Sequence, residues 1–149
     1  MRAVLQRVSR ASVSVDNDVI GQIDRGLVVF LGVATGDGPA DIEYVTSKIC
    51  EVRVFPDDDG RMNRSVADAG GALLLISQFT LLGDVRKGRR PAFDAAERPA
   101  EAEAVYEDVV RRLRQTGVPV ETGRFRAHMV IDVVNDGPVT ILVDSRREF

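Results

Sequence analysis

Ala72-Leu73-Leu74-Leu75-Ile76-Ser77-Gln78-Phe79-Thr80 is an unbroken apolar run that gives way to hydroxyls and an amide. Such a run reads as a buried strand, expected here within 73–82, so the polar groups near its end are carried to the rim of a core. Asn135-Asp136-Gly137-Pro138-Val139-Thr140 repeats the pattern after the largely apolar stretch 129–134. Polar groups held rigidly at a core's edge are what a binding site requires. Gly137 permits torsions and close approaches denied to other residues, and the bond before Pro138 is the one common place for a cis peptide.

Working outward, residues 4–8, 11–15 and 27–34 are rich in aliphatic and β-branched side chains and are punctuated by Asp16-Asn17-Asp18, Gly21 and Gly26. They predict an opening antiparallel meander. After the turn Gly36-Asp37-Gly38-Pro39, the apolar residues Ile42, Val45 and Ile49 recur at helical spacing and predict a helix from about Pro39 to Cys50. Val52-Arg53-Val54-Phe55 alternates as a strand does, and Pro56-Asp57-Asp58-Asp59-Gly60 ends it in a turn. Pro99 opens a second helix whose apolar face carries Ala102, Val105, Tyr106, Val109 and Leu113. Glu101 and Glu103 lie near its start and Arg111, Arg112 and Arg114 near its end, as the helix dipole favours. Residues 120–121, 129–134 and 139–143 supply the closing strands, with Asp136-Gly137 a turn between the last two. Many strands and a pair of helices predict a mixed α/β fold whose sheets are covered by helices on one side.

At 149 residues the chain fits one domain, 1–149, with a real core. Its 44% hydrophobic and 29% charged residues are spread along the chain, which excludes a disordered protein. Met1-Arg2-Ala3-Val4-Leu5-Gln6-Arg7 lacks the apolar segment of a secretory leader, and no apolar run approaches the ~20 residues that span a bilayer. The expectation is a cytoplasmic protein with no membrane partner. A lone Cys50, bordering the first helix's apolar stripe, fits a reducing compartment and a structural thiol. A net charge of −3 excludes any general attraction to nucleic acid, so RNA contact has to come from a local cluster such as Arg86-Lys87-Gly88-Arg89-Arg90.

His128 is the only histidine and Cys50 the only cysteine, too few imidazole or thiolate ligands for a zinc hydrolase. Asp57-Asp58-Asp59 lacks calcium-loop spacing, so neither a metal nor another cofactor is expected. His128, oriented by Asp132, can be written as a base for Ser77 or Thr80. The pair lies an even number of positions apart on one strand, however, on the less apolar face opposite Met129, Ile131 and Val133. Neither a Gly-x-Ser-x-Gly elbow nor a glycine-rich phosphate loop is present. Taken singly, the 77–80 string fits a capped strand end and Gly137-Pro138 fits a hairpin turn.

Over nearly its full length the chain resembles the D-aminoacyl-tRNA deacylases. The likeness is carried by Leu5-Gln6-Arg7-Val8, Ala11-Ser12-Val13, Leu31-Gly32-Val33, Gly60-Arg61-Met62-Asn63, Ser77-Gln78-Phe79-Thr80-Leu81, Lys87-Gly88, Arg90-Pro91, Phe93, Thr122-Gly123, Phe125, Met129 and the string from Asn135 to Thr140. Arg126 stands where such proteins often have glycine, and His128 where they are often acidic. The resemblance implies a homodimer of three-layer β/β/α sandwiches, mostly antiparallel, with helices on one side. Its implied activity, without a cofactor, is hydrolysis of the ester joining a D-amino acid, or glycine mischarged on tRNA(Ala), to tRNA, a proofreading step in translation.

By the same resemblance Ser77, Phe79 and Met129 receive the aminoacyl group, while Gly137 and Pro138, joined by a cis bond, reach in from the other subunit. Their carbonyls would hold the substrate's amino group and block the direction an L side chain takes. Enantiomers share every group, so a repulsive wall is the physically sensible discriminator. Backbone N–H groups of Phe79 and Thr80, with Gln78, are the expected oxyanion donors, a ribose hydroxyl of the tRNA helping to activate water. Covalent attack by Thr80 is the lesser alternative. Arg7 is expected to brace the Gly-Pro loop through carbonyls, and Lys87, Arg89 and Arg90 to contact phosphate. The rivals are a non-catalytic nucleic-acid-binding domain of the same fold and a Thr- or Ser-nucleophile esterase acting on small esters.

Overall fold

Leu73, Leu74, Leu75 and Ile76 are all buried because the strand that carries them is covered on both faces. Leu73 and Leu75 belong to a cluster shared with both helices, whereas Leu74 and Ile76 belong to a second cluster with Val8, Ala11, Val13, Ile23 and Val28. Successive side chains of a strand point to opposite faces, so a run with no polar break marks a middle layer. The computed structural model describes residues 1–149. In chain order its elements are β1 (Arg2–Val15), β2 (Asp18–Ile23), β3 (Gly26–Gly32), α1 (Pro39–Glu51), β4 (Phe55–Pro56), β5 (Met62–Arg64), β6 (Ala72–Ser77), a 3₁₀ turn (Phe79–Leu82), α2 (Pro99–Gln115), β7 (Val120–Thr122) and β8 (Val130–Asp144).

The main sheet runs β2-β1-β3-β6-β7, with β8 on the other edge of β1. β1 is antiparallel to β2, β3 and β8, while the β3–β6 and β6–β7 pairs are parallel. The first half of β1 pairs with β3 (Arg2↔Gly32 to Val8↔Gly26) and its second half with β2 (Ala11↔Ile23 to Val15↔Asp18). β1 thereby passes from one layer to the next: Ala3 and Leu5 face the helix-side cluster, and Val8, Ala11 and Val13 face the other. α1 buries Ile42, Val45 and Ile49, and α2 buries Tyr106, Val109 and Leu113, against the same side of the sheet. The architecture is the expected mixed α/β sandwich. No helix is long and apolar enough to cross a membrane.

Both helices lie where the apolar spacing puts them, and several strands do not. Residues 4–8 and 11–15 are one continuous strand, and β2, opened by Asp16 and Asn17 at φ 50° and 67°, was not anticipated. Paired left-handed residues make the tight turn that joins antiparallel neighbours. The strand expected to reach Leu82 stops at Ser77 and turns into the 3₁₀ segment, and the one expected over 52–55 survives only as β4. Asp136-Gly137 is not a hairpin turn. Residues 130–134 and 140–144 both lie antiparallel to β1, so β8 keeps its direction and the intervening residues bulge from it. The three aspartates behave as turn residues, the Asp57 carboxylate accepting the N–H groups of Asp59 and Arg61 at 3.0 and 2.9 Å.

Candidate active site

β6 delivers Ser77 to the sheet's edge, where the Gln78 N–H donates to the Leu31 carbonyl at 2.7 Å and holds the strand end in register. The 3₁₀ turn begins with the bond from Leu81 N–H to the Gln78 carbonyl, 3.3 Å, so the N–H groups of Phe79 and Thr80 lie ahead of it without partners inside the turn. From below, the Tyr106 hydroxyl and the Gly123 N–H converge on the Leu75 carbonyl at 2.8 and 3.3 Å. Burial holds the Tyr106 phenol neutral by pushing its pKa up, which keeps that donor in place.

A cleft of about 670 Å³ opens at this end of β6, lined by Ser77, Gln78, Phe79, Phe93, Phe125 and Met129 among others. Phe79 meets Phe93 edge to face, ring centres 4.9 Å apart, yet stays 55% exposed. An aromatic ring that exposed, beside a cleft, is available to a ligand or a partner. Thr80 does not line the cleft; it is exposed, and its hydroxyl accepts a hydrogen bond from the Gln78 amide.

The second string lies within β8, where that strand runs alongside β1. Asn135 donates its amide to the Arg7 and Val139 carbonyls, 2.9 Å each, and so closes the neck of the bulge. Arg7, its side chain only 13% exposed, donates through Nε to the Asp136 carbonyl at 3.1 Å and through Nη1 to the Val54 carbonyl at 2.6 Å. Gly137 has φ +131°, and a Cβ there would meet Val139 and the Arg7 guanidinium at 2.8 and 3.0 Å, so only glycine fits. The Gly137–Pro138 bond is cis. Both residues are exposed, and neither lines the 77–79 cleft of its own chain.

The His128–Asp132 alternative is not assembled. His128 is an exposed wall of this cleft, while Asp132 lines a different one with Ser12 and Gln22. The basic loop is closed by reciprocal bonds between Asp84 and Ala92, 2.8 and 2.9 Å. Asp84 captures Arg86 through two side-chain bonds of 2.9 and 2.6 Å and has its pKa drawn down to about 2 by that guanidinium. Lys87, Arg89 and Arg90 remain exposed at the tip and do not line the cleft. Sequence reasoning missed Arg98 altogether, and singled out Arg126 and His128 without placing them together on a cleft wall. Arg98 caps α2 and the other two precede β8, so only a long-range contact brings them to Ser77. A second groove of about 710 Å³ lies over α2; of the quoted strings it takes in Thr122, Gly123 and Phe125 and neither the 77–80 nor the 135–140 string.

Residues 4–144 match the family model described as D-Tyr-tRNA(Tyr) deacylase. The chain is 57% identical over 149 residues to a D-aminoacyl-tRNA deacylase of Symbiobacterium thermophilum, covering 100% of this chain and 99% of that one. It is 55% identical to one of Koribacter versatilis, with both chains wholly covered. Among solved structures, the "c-Myc DNA Unwinding Element Binding Protein" superposes with a TM-score of 0.91 at 40% identity over 97% of this chain and 98% of that one. A "probable eukaryotic D-amino acid tRNA deacylase" shares the fold alone, with a TM-score of 0.77 at 17% identity over 95% and 97% of the two chains.

Proposed function

This chain belongs to the D-Tyr-tRNA(Tyr) deacylase family and is an ester hydrolase acting on D-aminoacyl-tRNA; from that premise we propose that the 77–79 cleft receives the aminoacyl end and that chirality is judged by a loop from a second copy. The observation that carries the reading is the cleft itself, where the polar string after β6 meets Phe93, Phe125 and Met129 at one concave surface. Water attacks the ester carbonyl, the developing oxyanion is met by the N–H groups of Phe79 and Thr80, and the ribose oxygen leaves with a proton. An aminoacyl ester is reactive already, so positioning and a pair of donors suffice; one such donor is worth about 10²-fold.

Gly137 and Pro138 of the partner subunit close the cleft, their carbonyls holding the amino group where an L side chain would need to pass. Glycine offers nothing for that wall to refuse, so glycyl-tRNA, including glycine mischarged on tRNA(Ala), is also a substrate. Support for a homodimer comes from β8, whose outward residues Val130, Val134 and Leu142 are 57%, 40% and 59% exposed on the strand that carries the loop. Residues 1–149 act as one domain, in the cytoplasm, where aminoacyl-tRNA is found. Lys87, Arg89 and Arg90 meet tRNA phosphate.

The same tRNA charged with D-tyrosine, L-tyrosine or glycine tests the reading. Loss of the first and third with survival of the second is expected, and equal loss of both enantiomers rejects it. The similarity to a DNA-unwinding-element binder favours a second reading, nucleic-acid binding without turnover. That reading requires D-tyrosyl-tRNA to be bound yet to outlast stoichiometric protein.

A further inference from the structure

We propose that the acceptor stem of the tRNA substrate lies in the groove over the C-terminal half of α2, its phosphates held by Arg114, Arg124 and Arg126; the assignment rests on the reading of the 77–79 cleft as the seat of the aminoacyl end. The groove is formed by α2 and the segment that follows β7. Phe125 lines both this groove and the cleft, so a ligand with its tip in one and its body in the other crosses a continuous surface.

The crossing point is a turn, closed by the Ala127 N–H donating to the Arg124 carbonyl at 3.2 Å. Arg126 occupies it at φ +63°, a left-handed conformation that favours glycine and disfavours a long side chain. A guanidinium is therefore kept, against local preference, exposed at the mouth of the cleft. None of the chain's ion pairs engages Arg114, Arg124 or Arg126, whereas Arg111 and Arg112 are tied to Asp108. Glu107 and Glu103 line the groove about two and three helical turns from Arg114 toward the α2 N-terminus, about 16 Å away at the extreme. The groove is thus polarised, admitting a polyanion at its arginine end and turning it away from the other. A chain of net charge −3 has to bind RNA through such a local surface, and guanidinium forks suit rows of phosphates.

The test uses the full chain with uncharged tRNA, D-tyrosyl-tRNA, a hairpin of the acceptor stem alone, and the D-tyrosyl ester of adenosine. For the double variant Arg114→Gln, Arg124→Gln, the log–log salt slope of binding to uncharged tRNA is expected to flatten by about one to two, and KM for D-tyrosyl-tRNA to rise about tenfold. Hydrolysis of the adenosine ester stays unchanged, and the stem hairpin reproduces the weakened binding. Arg126→Gly weakens tRNA binding too, without lowering the thermal midpoint, because glycine suits the turn. An unaltered salt slope and KM overturns the assignment, as does an effect confined to whole tRNA and absent on the hairpin, or an equal loss on the adenosine ester. Binding is read on uncharged tRNA, so this outcome is separate from failure of the hydrolytic reading, which appears as survival of D-tyrosyl-tRNA with the unaltered protein.

Discussion

A guanidinium largely buried beneath an exposed loop ties together segments that the chain keeps far apart, and Arg7 does so for residues 54 and 136. Replacing Arg7 with alanine strips the Val54 carbonyl of a charged donor inside the core and releases the Asp136 carbonyl of the Gly137–Pro138 bulge. The expected cost is about 1.5–3 kcal/mol in urea denaturation, together with a fall in the ratio of D- to L-tyrosyl-tRNA hydrolysis. Arg7→Lys should not restore the ratio, because the compact ammonium, despite its three donors, does not span the two carbonyls that the planar guanidinium meets from Nε and Nη1. A variant that is destabilised but still discriminates fully shows that the loop holds its own shape. Arg7 was legible as a brace from the family string around it. Arg126 was legible only as a departure from glycine, since the torsion that makes the departure costly exists only once the turn is folded.

At the scale of elements, the parallel β3–β6 pair is the hinge of the architecture, because it is the layer both clusters press against. Gly26 opens β3 directly against Ala72, and a Cβ there would lie inside the Ala72 backbone. Backbone cannot step aside as a flexible side chain can. Gly26→Ala is therefore expected to cost more than about 3 kcal/mol, or to leave the protein insoluble, whereas Gly60→Ala in an open turn loses only about 1 kcal/mol to its positive φ. Comparable melting of the two variants contradicts this account. Both helices could be read to within a residue or so, because their apolar residues repeat within a few positions and a proline opens each. β2 and the undivided β8 could not, since a short strand and a bulge are set by whichever partner lies alongside.

For the molecule as a whole, acid is the informative perturbation. Asp84 is drawn down by the Arg86 side chain and N–H, Asp41 chiefly by the Ser145 hydroxyl, Asp57 and Asp68 by the N–H groups of Arg61 and Ser65, and Glu97 by those of Arg98 and Gly36. Each carboxylate ionises more readily folded than unfolded, so its contribution is complete above its ordinary value and is lost as pH falls through the folded one. The denaturation midpoint is expected to be steady down to about pH 5 and to decline from about 4 toward 2; a midpoint that rises on acidification contradicts the sign. By itself the sequence determined what is local: a buried strand ending in polar residues, both helices, a basic loop, and strings specific enough to point to a family. Only the tertiary structure decided that 136–139 bulges rather than reverses, that His128 and Asp132 serve different clefts, and that Phe125 joins the cleft to an arginine-lined groove. The reason is physical: helical periodicity and turn chemistry are written among neighbours, whereas the pairing of the first strand with the last is settled by distant segments competing to bury the same apolar faces.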